Sequence, residues 1–282
     1  MKTAVVTGAN SGMGYVVAKT LAQKGYRVLM VCRNRQKAEY AHQNIVQLTN
    51  NSHVHYYLCD LSDVKAVKAL TATIVAEYPV IDVLINNAGL YIDKRQTSAQ
   101  GYELTFANNH LSYFAMAAGL LPALKAAPEA RIVNVASEAQ QYGKLNLADV
   151  HLVHSFKPML AYGNSKLYNI LFTFQLAEDL KGTSITTNCM HPGGVRTNFA
   201  KGSGGLVGFI FNVLGFMLRT PEKGADTIVW LAVSDEVAGI SGKYFYDRKE
   251  IKAQTDAYSK LNRQTLWNIT TTYYEQTETE VQ

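Results

Sequence analysis

Cysteine is scarce in this 282-residue chain, which has three, Cys32, Cys59 and Cys189, and no CxxC pair. Each stands within or at the end of an apolar, strand-like run, which argues against a disulfide framework and for buried, reduced thiols in a reducing compartment such as the cytoplasm. No block of basic residues is present either. The net charge of +5 suits an anionic ligand, but the Lys and Arg residues are scattered, so no nucleic-acid partner is expected. No apolar run has the length of a membrane span. The longest uncharged stretch, GSGGLVGFIFNVLGFML between Lys201 and Arg219, is too short and too rich in glycine. The N-terminus, MKTAVVTGAN, has one lysine and a few apolar residues before a glycine turn, unlike a signal peptide, and is expected to begin directly on the first strand.

What remains is an ordinary enzyme-like composition, 48% hydrophobic and 17% charged, with enough length for a sizeable core. Short β-branched runs recur: TAVVT (3–7), RVLMVC (27–32), HVHYYLC (53–59), VIDVLINN (80–87), RIVNVA (131–136) and SITTNCM (184–190). Segments of helical length and period separate them. Strands alternating with helices predict a single α/β domain over 1–282, a Rossmann-type doubly wound parallel sheet of about seven strands with helices on both faces. Residues 199–222 interrupt the alternation as an apolar, glycine-rich insertion. A helix restarts at TPEKGADTIVWLAV (220–233), with Thr220 as N-cap and Pro221 in the first turn. SGKYFYD (241–247) reads as the last strand and DAYSKLNRQTLWNITTTYYE (256–275) as a terminal helix.

Directly after the first strand comes Thr7-Gly8-Ala9-Asn10-Ser11-Gly12-Met13-Gly14, spaced GxxxGxG and opening a helix. Glycines there permit a tight turn and let a phosphate reach the helix N-terminus, where free N–H groups and the macrodipole favour an anion. Cofactor choice is read after the second strand, which ends Val31-Cys32-Arg33-Asn34-Arg35. No carboxylate stands there to bond a ribose hydroxyl, whereas Arg33, with Asn34 beside it, suits a 2′-phosphate, so NADP(H) is expected over NAD(H). Arg35 and Lys37 are expected to face water. Asp60, followed by Leu61, either accepts from an adenine amine or caps the next helix; a cap at Ser62 would free it for adenine. Asn87-Ala88-Gly89 ends the fourth strand, where small residues let backbone lie against a flat ligand.

TGANSGMG, NNAG, Asn-His-Leu-Ser, IVNVAS and YGNSK follow one another in this order, and with them the chain resembles the short-chain dehydrogenase/reductase family from end to end. CRN after the second strand, FANNHLSYF (106–114), HPGGVRTN (191–198) and SGKYF (241–245) are similar to the branch of retinol dehydrogenases and related carbonyl reductases. The resemblance implies an active tetrad of Asn109, Ser137, Tyr162 and Lys166, with Asn109 holding a water that passes protons from Lys166 to solvent. It also implies cofactor contacts along Pro192, Gly193, Val195 and Thr197. Members commonly pair through the helices bearing the asparagine and the Tyr-Lys motif, while some of this branch are monomers, so both a monomer and a homo-oligomer stay open.

The residue types suit the chemistry. Hydride transfer between a nicotinamide and a carbonyl leaves negative charge on oxygen, which needs a proton or strong donors in the transition state. Tyr162 can supply that proton, and Lys166, four residues on and so on the same helical face, is expected to lower the phenol's pKa while reaching cofactor ribose hydroxyls. Ser137 would orient the substrate oxygen. His191, before Pro192, reads as a turn residue. His151 and His154 have no carboxylate or cysteine cluster to complete a site, so no metal is expected. The apolar side chains within 202–218, together with the stretch from Glu138 to Leu160, are expected to flank the pocket and favour a lipophilic, retinoid-like carbonyl or alcohol. An oligomer interface and a peripheral membrane contact are the other roles open to that apolar stretch. Two rivals remain, an NADP(H)-binding sensor that lost catalysis, whose usual mark would be a damaged tetrad, and a same-fold enzyme of non-redox chemistry.

Overall fold

A computed structural model describes residues 1–195 and 219–276. Among the described residues, eight strands form one sheet in the order β3-β2-β1-β4-β5-β6-β7-β8. β1 (Thr3–Thr7), β2 (Arg27–Cys32), β3 (Val54–Leu58), β4 (Val83–Asn86), β5 (Ala130–Val135), β6 (Ile185–Met190) and β7 (Tyr244–Tyr246) are parallel. The central strands are buried along their whole length, as their unbroken apolar runs require. The one addition to the expected sheet is β8 (Lys249–Glu250), antiparallel to β7. It follows a two-residue turn with positive φ at both Asp247 (47°) and Arg248 (61°). Such a turn ordinarily announces itself by Asn-Gly or Asp-Gly. Here ion pairs of Asp247 with Arg219 and of Arg248 with Asp226 hold it instead.

One face of the sheet carries α1 (Gly12–Gln23), α2 (Arg35–Thr49) and α7 (Pro221–Val233), packed over Val6, Val28, Met30 and Ile85. The other carries α3 (Val64–Glu77), α5 (Ser112–Lys125) and α6 (Pro158–Asp179), packed over Val5, Leu29, Leu84 and Ile132. α4 (Leu104–Phe106) leads into α5 through a π-helical turn, Ala107–Leu111, a feature that no hydropathy pattern announces and that recurs at functional sites. The terminal helix α8 (Lys260–Gln276) lies on α5 and α6: Trp267 stacks on Phe172 at 6.0 Å and meets Phe114 edge-on at 5.1 Å.

Two helix starts bear directly on the site. Thr220 caps α7 by accepting from Lys223 N at 3.3 Å, with Pro221 in the first turn as expected. α3, however, starts at Val64, and its cap is Asp63, which accepts from Ala66 N at 3.2 Å; Ser62 lies before the helix. The chain turns back after β3, so β1 and β4 become neighbours with outward connections on opposite sides. Their carboxyl ends mark the switch point at which such sheets bind ligands. Among the described residues, no helix is long and apolar enough to cross a membrane.

Candidate active site

The glycine turn is built against the end of β4. Gly8 (φ +67°) and Gly12 (φ +53°) take left-handed backbone. A Cβ on Gly14 would come within 2.3 Å of the Gly8 carbonyl oxygen and 2.6 Å of Asn87 Nδ2, so only glycine fits there. Thr7 ties the two strand ends together: its Oγ1 accepts from Asn87 N at 2.9 Å and Ala88 N at 3.0 Å, and its carbonyl accepts from Asn87 Nδ2 at 2.8 Å. Ser11, the residue before α1, makes no side-chain cap bond. The first N–H groups of α1 therefore have no capping side chain and stand where an anion would lie.

A cleft of about 840 Å³ runs from this turn across the carboxyl edge of the sheet. Gly8, Asn10, Ser11, Gly12, Met13 and Gly14 form its first wall, and Arg33 and Lys37 stand at its rim. Leu61, Asn87, Ala88 and Gly89 continue the lining, followed by Ser137, Tyr162, Lys166, Pro192, Gly193 and Val195. Thr197 and most of the 199–222 insertion lie outside the described residues. The two ends flanking that gap are pinned side by side at the cleft: Val195 and Arg219 form a parallel bridge, and Arg219 N donates to Gly194 O at 2.8 Å.

Three expected site residues do not line the cleft. Asn34 is spent as the N-cap of α2, its Oδ1 accepting from Lys37 N at 3.0 Å. That same turn brings Lys37 to the cleft while Arg35 pairs with Glu39 at 3.7 Å, so of the two bases expected to face water one joins the site. The signal was the cap itself, since an Asn three residues ahead sets the phase in which Lys37 returns toward the strand end. Asp60 is exposed and accepts from both Ser62 N at 2.9 Å and Ser62 Oγ at 2.7 Å, so it closes a local turn and caps no helix.

Asn109, the third, is fully buried on the π-turn with every side-chain hydrogen-bonding position filled. Oδ1 accepts from Leu90 N at 2.8 Å and Asn108 Nδ2 at 3.0 Å; Nδ2 donates to Leu90 O at 2.9 Å and Ser165 Oγ at 3.1 Å. The side chain clamps the segment after β4 and has no capacity left for a water. Any water at Asn109 must use its carbonyl oxygen, which already accepts from Asn169 Nδ2 at 2.9 Å. The next residue, His110, joins the turn to the terminal helix, with Nε2 2.9 Å from Thr270 Oγ1. Burial pushes this imidazole down to about 3, so it stays neutral at ordinary pH.

Ser137, Tyr162 and Lys166 meet where β5 ends against α6. Ser137 Oγ accepts from Ala139 N at 3.1 Å and is hydrogen-bonded to the Tyr162 phenol. Lys166 is 2% exposed; its Nζ donates to Val135 O at 3.0 Å and stands 5.6 Å from the Tyr162 ring centre. These contacts reverse the expected electrostatics. Burial pushes the phenol up to about 12, against a smaller lowering by Ser137, and pushes the lysine down to about 7. Where the phenol titrates, a lysine brought down to about 7 is neutral and has no charge with which to hold the phenol down. Tyr91 stands edge-on to Tyr162 at 5.8 Å, and Glu138, Gln141, Tyr142 and Met159 line the adjoining mouth, as expected for the stretch after Ser137.

His191 and His151 both make contacts within the protein. His191 Nδ1 accepts from Gly193 N at 3.2 Å and its ring stacks on Tyr246 at 4.3 Å, which makes it the turn residue anticipated. His151 stacks on Tyr102 at 5.6 Å and accepts from Glu103 N at 3.3 Å.

The lysine has a measurable consequence. Above its ordinary value of 10.5 neither state carries the charge; as pH falls from 10.5 toward 7 the unfolded chain takes up a proton that the fold refuses, and stability is lost. Lys166→Met should therefore unfold at higher temperature than the natural chain, with the gap widest at pH 7 and closing toward pH 10. Calorimetry across that range checks it, and a gap that is constant or negative would contradict the buried-charge account.

A family model described as short chain dehydrogenase matches residues 2–204. Retinol dehydrogenase 14 of Mus musculus is 38% identical over 282 residues, covering 95% of this chain and 84% of that protein. Retinol dehydrogenase 12 of Homo sapiens is 37% identical over 268 residues, with the same 95% and 84% coverage. Among solved structures, an uncharacterized protein from Mycobacterium paratuberculosis superposes with a TM-score of 0.80 at 28% identity over 98% of this chain and 94% of that one. A short chain dehydrogenase from Escherichia coli CFT073 complexed with NADPH has a TM-score of 0.69 at 23% identity, covering 86% and 95%, and shares the fold.

Proposed function

The chain belongs to the short-chain dehydrogenase family, and from that premise we propose that it is an NADP(H)-dependent oxidoreductase that interconverts a lipophilic aldehyde or ketone and its alcohol, with Tyr162 as acid and base. The observation that carries this reading is the meeting, in one cleft, of the glycine cradle with hydrogen-bonded Ser137 and Tyr162 over a buried Lys166. The turn fits a dinucleotide: glycine alone fits at Gly14, the N-terminus of α1 has no side-chain cap, and Arg33 and Lys37 offer two cations where a 2′-phosphate would come. A nicotinamide bound there supplies or accepts the hydride.

In reduction, Ser137 holds the carbonyl oxygen beside the phenol, and Tyr162 gives that oxygen its proton as charge develops. A phenol pushed up to about 12 keeps this proton at neutral pH. Reduction uses this protonated form. Its kcat should stay flat as pH rises through neutrality, whereas alcohol oxidation, which needs the phenolate, should climb; equal pH profiles in the two directions would count against Tyr162 as the proton carrier. Lys166, hydrogen-bonded to Val135 O, holds the floor of the site and reaches ribose hydroxyls.

Support for a lipophilic substrate comes from the mouth, where Tyr142 is 65% exposed and Met159 38%, beside Leu90, Tyr91 and Val195. Large apolar groups left in water there recover free energy by covering an apolar ligand. The retinol dehydrogenase names of the relatives point to the same class of substrate. We also propose a cytoplasmic location and either a monomer or a homo-oligomer; α8 lies chiefly on α6 and meets α5 through Phe114. A panel of lipophilic aldehydes and ketones, each with NADPH and NADH, tests the whole reading. Oxidation of NADPH by long-chain members supports it; tight NADPH binding with no turnover by any member would favour the sensor.

A further inference from the structure

Asn108 occupies the π-turn one position before Asn109, lines the cleft and is 8% exposed. On the same turn Phe106, Ala107 and Leu111 are apolar and Asn109 and His110 are polar groups bonded within the protein, all at most 2% exposed, so a further amide here needs a reason. Its Nδ2 donates to Asn109 Oδ1 at 3.0 Å. That acceptor also takes Leu90 N, and an oxygen there admits only donors, so the Asn108 amide is fixed with its NH2 toward Asn109 and its carbonyl oxygen on the opposite side. Among the described residues no donor reaches that oxygen. Neither is it among the unpaired atoms sealed inside the protein, such as the Tyr168 and Tyr244 hydroxyls, so it opens on the cleft.

A nearly buried amide oxygen without a protein donor costs free energy that an apolar side chain of the same size would not. The missing donor must come from what fills the cleft. The shared bond of Asn108 and Leu90 to Asn109 Oδ1 sets this amide beside the segment that follows Asn87-Ala88-Gly89, in the cleft that the glycine turn and Tyr162 also line. A dinucleotide lying along that path presents phosphates, which are acceptors, ribose hydroxyls, which are donors, and at its two ends the donor amines of the adenine and the carboxamide. We infer that Asn108 Oδ1 accepts a hydrogen bond from a ribose hydroxyl of the bound dinucleotide and is a determinant of cofactor affinity, an inference that rests on the nucleotide reading above.

The test needs no turnover. Asn108→Val and Asn108→Ala are titrated with NADPH by fluorescence in the absence of substrate, and their unfolding is followed without nucleotide. Loss of one hydrogen bond should raise the NADPH Kd about five- to tenfold, while the unfolding temperature without nucleotide stays level, because the oxygen that is removed has no protein donor to lose. Binding thus falls without a matching loss of stability, which a role confined to bracing Asn109 cannot produce. An unchanged Kd overturns the inference, as does a Kd that rises only together with a fall in unfolding temperature. A raised KM for the carbonyl at unchanged NADPH Kd overturns it too, by assigning the amide to the substrate. Failure of the natural chain to bind either NADPH or NADH is a different result, and removes the nucleotide reading itself.

Discussion

Tyr162→Phe should lower turnover of a carbonyl substrate by about a thousandfold or more while NADPH binds almost as before. The substitution deletes one oxygen. Its ring still meets Tyr91 edge-on and still packs beside Lys166, so the walls of the cleft keep their shape. What disappears is the proton at the reacting oxygen and the partner of Ser137, and the transition state must then place its charge on an oxygen with a single hydroxyl donor. The loss should fall on kcat, since the phenol does its work only as charge develops. Steady-state kinetics alongside an NADPH titration separates the two quantities. Retention of a tenth of the activity would mean that another group carries the proton.

The second large effect is expected at the rim. Arg33→Asp should reduce kcat/KM with NADPH by about tenfold to a hundredfold, because a charge-assisted contact to phosphate is lost and a like charge replaces it. The same carboxylate can accept from a ribose hydroxyl, so efficiency with NADH should hold or rise. Arg33 and Lys37 are exposed, which makes both contributions sensitive to salt: the proposed preference for NADPH should narrow at high ionic strength. Lys37→Ala should cause a smaller loss in the same direction. A ratio of NADPH to NADH efficiency that Arg33→Asp leaves unchanged would contradict the phosphate assignment.

Much of the scaffold was legible in advance because its signals are local. β1 and β2 span the residues that their apolar runs marked, and α7 starts at Thr220 and Pro221 because capping and proline's missing N–H act within one turn. Four-residue spacing alone said little: Tyr15 and Lys19 have it too, in the middle of α1, and Tyr15 packs there against the core. The expected site residues that stand off the cleft lining share one cause. Asn34, Asp60 and Asn109 are polar side chains at strand ends or in a turn, and each has several potential partners, near in sequence or in space. Which partner it takes depends on a few tenths of an ångström in the backbone. β8 was missed because its left-handed turn is held by Arg219 and Asp226, residues more than twenty positions away.

The sequence by itself determined the doubly wound sheet, the glycine turn and the order in which Ser137, Tyr162 and Lys166 arrive at one edge. Hydrophobic period, chain chirality and the backbone freedom of glycine are properties of short segments. Tertiary structure alone decided what those residues are once together. It spent the side chain of Asn109 on Leu90 and Ser165, brought Lys37 into the cleft, set Asn108 in its lining, and pushed the Tyr162 phenol up and the Lys166 amine down. Desolvation is the physical reason for the last of these. It depends on how much of the whole chain closes around a group, a quantity that no spacing of residues along the sequence contains.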